Sequence, residues 1–305
     1  MKIAAERLKS AKARKKETAA SYGPVLSGSM SWLKRNESEG SAGIASLSPT
    51  FRYFIADELY DAKLSLSQPL FMWGKIKEAN RQASFGYNMA QEDMETAKKD
   101  TLFKVQEAFY RVILGRQLVR IARGSRDIAD RQLKVVESFY NEGKSSSYDV
   151  GRVKVALANV KTNLIRAENG YELALQALEN LLDMKSGEAD FEGEMTDPGL
   201  EFKLDTLVDE SIRNRPEIRR IVLAEKSAAS LVRMTAAGNR PNLLAAGASE
   251  WQNTGFSTND PYHTWSAMLV LNVPIFDGWS TRQRTKQARS NLEEVRHTRS
   301  SLEEV

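Results

Sequence analysis

Residues 147–184, SYDVGRVKVALANVKTNLIRAENGYELALQALENLLDM, decide the fold class. Their apolar residues recur at alternating steps of three and four, a mean period of 3.5 that predicts a helix packed along a narrow coiled-coil seam. The seam residues are Val150, Val153, Leu157, Val160, Leu164, Ala167, Tyr171, Ala174, Leu178 and Leu181.

A second and longer helix is predicted just before it, over residues 74–141. Its seam contains Leu102, Val105, Phe109 and Val112, is interrupted at Arg116 and resumes at Val119. At a rise of about 1.5 Å per residue this helix would be roughly 100 Å long. Because Gly143 accepts a positive φ and Ser147 or Asp149 can cap the next helix, we expect an antiparallel helical hairpin that reverses here.

The segments on either side of the hairpin repeat one plan. Thr18-Ala19-Ala20 precedes Pro24 at the same spacing as Thr235-Ala236-Ala237 precedes Pro241, and each copy later reaches Pro69-Leu70-Phe71 or Pro274-Ile275-Phe276. The repeated unit is helix, strand, polar loop, strand, turn, helix. The prolines are expected to end the strands, and both phenylalanines to pack where strand becomes helix.

The predicted strands alternate between apolar and polar residues. In the first copy Tyr60, Ala62, Leu64 and Leu66 alternate with Asp61, Lys63, Ser65 and Ser67, and residues 264–273 alternate similarly in the second. The pattern fits the edge of a soluble sheet or a tilted membrane-spanning strand of about ten residues.

In a membrane, four strands are too few to close a barrel, whose smallest form has about eight, so an oligomer is required. Asp61, Lys63, Ser65 and Ser67 would then line a water-filled lumen. Residues expected at headgroup depth are Trp32, Tyr60, Tyr262 and Trp265.

Composition argues against enzyme chemistry. Of 305 residues, 41% are apolar and 28% charged, Cys is absent, and the two histidines, His263 and His297, have no neighbours at metal-ligand or catalytic spacing. We therefore predict no catalytic residue, no metal and no cofactor. The longest small or apolar run, 243–248, is far shorter than the roughly 18 residues of a membrane-spanning helix.

The formal charge of +4 is concentrated near the N-terminus, where residues 1–17 hold seven Lys or Arg against Glu6 and Glu17. Without interleaved aromatic residues this pattern is typical of a solvated helix face, so no nucleic-acid binding is expected. The first ten residues lack the apolar core of an export signal. Further on, Asp205 is expected to cap a helix over 206–213, and Pro216 to open the next.

Over most of its length the chain resembles the TolC family of bacterial outer membrane efflux proteins. The features that carry the resemblance are Asn214-Arg215-Pro216-Glu217-Ile218, the Ala-rich run into Pro241, Pro274-Ile275-Phe276-Asp277-Gly278, and Tyr140 and Gly143 followed by Asp149-Val150. The resemblance implies long antiparallel coiled-coil helices plus two β-hairpins. Three chains would close a twelve-stranded barrel in the bacterial outer membrane, extended by an α-helical periplasmic tunnel.

In this family the duct docks to a periplasmic adaptor protein and an inner-membrane pump. By resemblance, Gly143, Tyr148, Asp149 and Val150 lie at the periplasmic tip that meets the adaptor, with Asp149 linking neighbouring helices. The alternative is that these residues only build a turn. Relative to the first copy, about eighty residues of a second helical hairpin are expected to be missing, which makes the chain a fragment.

The resemblance divides the chain into seven segments. They are residues 1–23 (end of a first-repeat helix), 24–69 (first hairpin), 70–184 (helical hairpin), 185–215 (equatorial linker and short helix), 216–240 (second-repeat helix), 241–274 (second hairpin) and 275–305 (start of a truncated helix). The predicted function is an exit duct for efflux or type I secretion, embedded in outer membrane lipid. A soluble coiled-coil scaffold is the alternative, since the heptads alone would suffice for it.

Overall fold

The computed structural model describes residues 1–34, 58–185, 187, 191–195, 199, 204–253 and 262–304. The polar loops predicted between paired strands, 35–57 and 254–261, and parts of the linker 185–204 lie outside the described residues. The elements are α1 (Lys2–Ala20), β1 (Val25–Lys34), β2 (Glu58–Phe71), α2 (Lys75–Asn141), α3 (Ser147–Leu182), α4 (Leu204–Asn214), α5 (Pro216–Ala236), a 3-10 turn (Ala237–Asn239), β3 (Asn242–Asn253), β4 (Tyr262–Asn272) and α6 (Ser280–Glu303).

The chain forms two compact units. We call Glu95–Leu207 the hairpin unit, and Lys2–Met94 with Val208–Val305 the sheet unit. Pro216 occupies the first position of α5, as predicted. The expected cap at Asp205 is wrong, because α4 begins at Leu204 and Asp205 lies inside it.

In the hairpin unit, α2 and α3 pack along the predicted seam. Ala108, Val112 and Leu178 form its buried centre. Leu157 and Leu164 continue the buried side of α3, and every other predicted seam residue is half-buried except Leu181. The apolar period of α3 therefore does place one face of the helix against its partner.

The seam of α2 differs from the prediction at its start. Leu102 is 60% exposed, whereas Ala108 and Ile113, which lie off the predicted steps, are buried. The two helices are also tied by ion pairs between Arg123 and Glu168 at 3.0 Å and between Lys154 and Glu137 at 3.1 Å.

In the sheet unit, four antiparallel strands pair in the order β1-β2-β3-β4. The second strand of the first copy thus pairs with the first strand of the second copy, as in Lys63 opposite Glu250. Directly opposed residues of an antiparallel pair project from the same face. The register therefore sorts the residues of all four strands into two faces.

The expectation that Pro69 ends β2 is wrong. Pro69 pairs with Leu244 and the strand continues to Phe71, which pairs with Leu243, so that Leu70 is an extra residue. Such a bulge turns the following side chain to the other face. Phe71 and Phe276 are 52% and 73% exposed, so neither is buried in a core of this chain.

The helices of the sheet unit follow the same lateral order as the strands. The Asn80 amide of α2 donates to the Thr18 carbonyl of α1 at 3.2 Å. On its other side α2 meets α5, where Arg220 pairs with Asp93 at 2.7 Å. Next, α5 meets α6 through Glu225. The order is therefore α1-α2-α5-α6.

Candidate functional site

The turn between α2 and α3 is built by hydrogen bonds at both helix ends. Gly143 has φ +75°, and its N–H donates to the Tyr140 carbonyl at 2.9 Å. The Lys144 N–H donates to the Phe139 carbonyl at 2.8 Å. These two bonds form a Schellman motif around a left-handed glycine, which ends α2.

The start of α3 is capped by Ser146, not by either of the residues expected from the sequence. The Ser146 hydroxyl accepts from the Asp149 N–H at 3.2 Å, and Asp149 Oδ2 accepts from the Ser146 N–H at 3.1 Å. This reciprocal pair is a capping box, with Asp149 at its third helical position. Hydrogen bonds from the Ser146 side chain and backbone, with a weaker one from Ser145, lower the pKa of Asp149.

The four residues predicted at the tip have different environments. Gly143 is exposed, and Asp149 holds the cap. Tyr148 is 75% exposed, whereas Val150 is half-buried as the first seam residue. The turn therefore presents a fixed backbone, with Tyr148 as a more exposed aromatic side chain than Phe139 and Tyr140, which are each 47% exposed.

The residues predicted to line a lumen share one face of the sheet. Asp61, Lys63, Ser65 and Ser67 lie opposite Ser31, Ser29, Ser27 and Val25 on β1, and opposite Gln252, Glu250, Ala248 and Ala246 on β3. The Ser27 and Ser65 hydroxyls are 2.8 Å apart, and Lys63 Nζ lies 3.7 Å from Glu250 Oε2. We call this surface the polar face.

The sequence reasoning missed the contributions of β1 and β3 to the polar face. Ser27, Ser29 and Ser31 alternate along β1, and that period of two could have identified them. The contributions of Glu250 and Gln252 depend on the β2–β3 pairing, which local patterning does not reveal.

The opposite face is largely apolar, with Gln68, Ser249, Asn253 and His263 as polar residues on it, and it has aromatic residues at both ends. Near the hairpin loops it carries Trp32, Tyr60, Trp251 and Trp265; its middle carries Leu26, Met30, Leu64, Leu66, Ala245, Ala267 and Leu269; and it ends at Leu243, Leu271 and the bulge-shifted Phe71. The large apolar residues Met30, Leu64, Leu66 and Leu269 are exposed. A solvent-exposed face of this composition is typical of a surface that another apolar phase covers.

The apolar face has the height of a membrane core. The β3 partners of Tyr60 and Phe71 are Asn253 and Leu243, which are ten residues apart. At about 3.3 Å per residue this is about 33 Å along the strand, and a tilt of about 40° reduces it to about 25 Å. Outer membrane barrels have an apolar band of about 25 Å between their aromatic girdles.

An ionic network around a buried carboxylate joins the two copies in the sheet unit. Glu78 of α2 is 7% exposed, and its Oε2 accepts from the Ser230 hydroxyl of α5 at 2.7 Å and from Arg233 Nη2 at 2.9 Å. Arg81 binds the other carboxylate oxygen at 2.9 Å. Burial alone would raise the pKa of Glu78, but the hydrogen bonds from Arg233 and Ser230 outweigh it and lower the pKa.

Among the helices of the described residues, none has an apolar stretch long enough to cross a membrane. Within the same residues, no group of three or more His, Asp or Glu is placed to hold a metal ion.

Comparison with known proteins identifies related sequences. Residues 1–183 and 207–301 match the family described as outer membrane efflux protein. The chain is 25% identical over 253 residues to the pyoverdine export outer membrane protein OpmQ of Pseudomonas aeruginosa, covering 80% of this chain and 52% of that protein. It is 23% identical over 244 residues to the alkaline protease secretion protein AprF of the same organism, covering 77% and 50%.

Solved structures share the fold. The Campylobacter jejuni CmeC outer membrane channel matches with a TM-score of 0.80 at 16% identity, over 99% of this chain and 64% of that one. A crystal structure of CusC matches with a TM-score of 0.80 at 15% identity, over 99% and 68%. The chain spans about half the length of the curated relatives OpmQ and AprF.

Proposed function

Because the chain belongs to the outer membrane efflux protein family, we propose that it is a subunit of a channel in the bacterial outer membrane that extends into the periplasm. It serves as the exit duct of a tripartite efflux or type I secretion system. This duct performs no chemistry of its own, since transport follows from assembly of the tube.

One observation carries the proposal: a four-stranded sheet with one polar face and one exposed apolar face about 25 Å high. Lipid covers the apolar face, and the polar face lines a water-filled lumen. The outer strands β1 and β4 each pair on one side only within the described residues. Open edges are not viable in lipid, so β4 of one chain pairs with β1 of the next.

In a homotrimer, the edge strands β1 and β4 of every chain are both paired. Three copies of four strands make a twelve-stranded barrel, which is wide enough for a lumen and has no free edge. Asp61, Lys63, Ser65 and Ser67 form part of its wetted wall. Their mixed charge and hydroxyl groups favour hydration of the pore over selection of one solute.

The turn at Gly143 is proposed as the contact with a periplasmic adaptor protein, which couples the duct to an inner-membrane pump. The exposed Tyr148 supports this assignment, because an exposed tyrosine beside a rigid backbone turn is a common contact in protein interfaces. The capping box and the glycine turn fix the shape of that contact.

A soluble coiled-coil scaffold would account for the seam of α2 and α3. It gives no reason for a sheet that exposes Met30 at 88% and Leu269 at 71% on one face. That exposure favours the channel.

The test is an unheated against a boiled gel of the detergent-extracted protein, followed by conductance in planar lipid bilayers. A channel runs as a heat-modifiable trimer and gives discrete conductance steps. A monomer band at both temperatures, with all protein in the soluble fraction, would refute the channel and support the scaffold.

A further inference from the structure

Each of the two strand-to-helix turns places a phenylalanine ring beside a tryptophan ring, and an arginine from outside the turn lies near that tryptophan. Arg240 precedes β3, and Arg282 lies on α6. In the first turn the Phe71 and Trp73 rings lie 5.1 Å apart, edge to face, and the Arg240 guanidinium lies 5.5 Å from the Trp73 ring centre. In the second turn the Phe276 and Trp279 rings are 6.0 Å apart, and Arg282 lies 5.5 Å from the Trp279 ring centre. We call these six residues the turn clusters.

The backbone of both turns is held in an unusual conformation. Trp73 and Gly74 have φ of +47° and +83°, and Gly278 and Trp279 have φ of +64° and +66°. The left-handed region favours glycine over a bulky residue. A tryptophan stands in that region in both turns, and such local strain points to a use for the side chain in that place.

The turn clusters lie at the end of the apolar face. The bulge at Leu70 puts Phe71 on this face opposite Leu243, and Phe276 follows β4 by four residues. The apolar band measured above therefore ends where these rings begin. Tryptophan rings with nearby arginines are characteristic of the boundary between acyl chains and headgroups.

We propose that each turn cluster binds the phosphate headgroup of a membrane lipid, with the arginine on the phosphate and the rings against the upper acyl chains. This inference rests on the proposed function, because it requires the apolar face to lie in a bilayer. The occupant is a phospholipid of the leaflet that meets the helical end of the sheet.

The arginines are available for such a ligand. Arg240 and Arg282 are exposed, and neither forms an ion pair with a residue that the structure describes. In contrast, Arg296 and Arg299 on α6 both pair with Glu225 at 3.1 Å. Stacking on an aromatic ring leaves the guanidinium edges free to donate to a phosphate.

The two turn clusters differ in one charge. Asp277 in the second turn accepts a hydrogen bond from the Thr281 N–H at 2.8 Å, whereas Met72 stands at the equivalent position of the first turn. A carboxylate near the second cluster opposes an anionic headgroup. The first cluster is therefore the tighter site.

The experiment measures lipid retention on the detergent-extracted oligomer by native mass spectrometry. The probes are phosphatidylglycerol and a galactolipid with the same acyl chains but no phosphate. The variants are Arg240→Gln, Arg282→Gln and the double variant. A charge-matched control, Arg131→Gln with Arg289→Gln, removes two exposed arginines from elsewhere on α2 and α6.

The double variant should lower the apparent affinity for phosphatidylglycerol about tenfold or more, as expected for the loss of a charge-assisted hydrogen bond. Of the two single variants, Arg240→Gln should cause the larger loss of affinity for phosphatidylglycerol. The control should stay within about twofold of the unmodified chain. Equal binding of the galactolipid, complete displacement by inorganic phosphate, or an unchanged double variant would overturn the lipid site.

A second measurement leaves both arginines in place. A variant with Trp32→Phe, Trp251→Phe and Trp265→Phe retains only Trp73 and Trp279 as tryptophans. In a bilayer of brominated phospholipids, bromine atoms attached near the headgroup should quench the tryptophan fluorescence of this variant more than bromine atoms near the ends of the acyl chains. The reverse order would overturn the placement of the turn clusters at the headgroups. Failure of the unmodified chain to form a heat-modifiable oligomer would instead refute the proposed function itself.

Discussion

Replacing Ser230 with alanine tests how the two copies are held together in the sheet unit. Ser230 is fully buried, and its hydroxyl donates to Glu78 Oε2 at 2.7 Å. A hydrogen bond to a charged group contributes about 1.5–3 kcal/mol to stability, and its removal leaves a buried carboxylate with one partner fewer. We expect the free energy of local opening of α5 to fall by that amount.

The assay is amide hydrogen exchange of α5 (Pro216–Ala236) read by mass spectrometry. A loss of 1.5–3 kcal/mol corresponds to exchange about tenfold to a hundredfold faster. The control is Ser227→Ala on the same helix, since Ser227 is half-buried and has no side-chain hydrogen bond to a described residue. Its effect should stay within about 0.5 kcal/mol.

The effect should also depend on pH. Because the pKa of Glu78 is lowered in the folded state, its stabilising contribution is present above the usual pKa and is lost as the pH falls through the folded value. The exchange rate of the Ser230→Ala variant divided by that of the unmodified chain should therefore be largest at pH 7 and fall toward one below about pH 4. A ratio near one at pH 7, or one that does not change with pH, would refute the reasoning.

Three further predictions concern the turn and the polar face. Gly143→Ala should destabilise the hairpin unit by about 1 kcal/mol because φ is positive, whereas Gly151→Ala inside α3 should not, as measured by hydrogen exchange of both helices. Ser146→Ala should cost about 1 kcal/mol in the same measurement through loss of the helix cap, and faster exchange confined to another helix would contradict it. Lys63→Glu should shift the reversal potential in a salt gradient toward cation preference, whereas Lys63→Arg, which keeps the charge, should leave it unchanged. An unchanged reversal potential in Lys63→Glu would place Lys63 outside the pore.

Features governed by local spacing could be predicted from the sequence. The seam of α3 depends only on residues three and four positions apart, so its period was visible without a partner. The positive φ of Gly143 follows from its place between two helices. The polar side of β2 likewise follows from strict alternation.

Features governed by pairing between distant segments could not. The bulge at Leu70 arises where β2 meets β3, and it alone decides the face on which Phe71 lies. The burial of Glu78 depends on residues of α5 that follow it by more than 150 positions. The choice of Ser146 as cap was ambiguous because three consecutive serines can all serve.

The pairing of β2 with β3 has a consequence for how the proposed trimer assembles. Within one chain the two copies of the repeated plan meet where β2 pairs with β3. Between chains of the trimer, copies meet where β4 of one chain pairs with β1 of the next. The pairing of β2 with β3 forms whenever a single chain folds, whatever the protein concentration, because both strands belong to one polypeptide. Only the pairing of β4 with β1 between chains depends on protein concentration. Dilution should therefore dissociate the trimer into whole chains and should not separate the two copies within a chain.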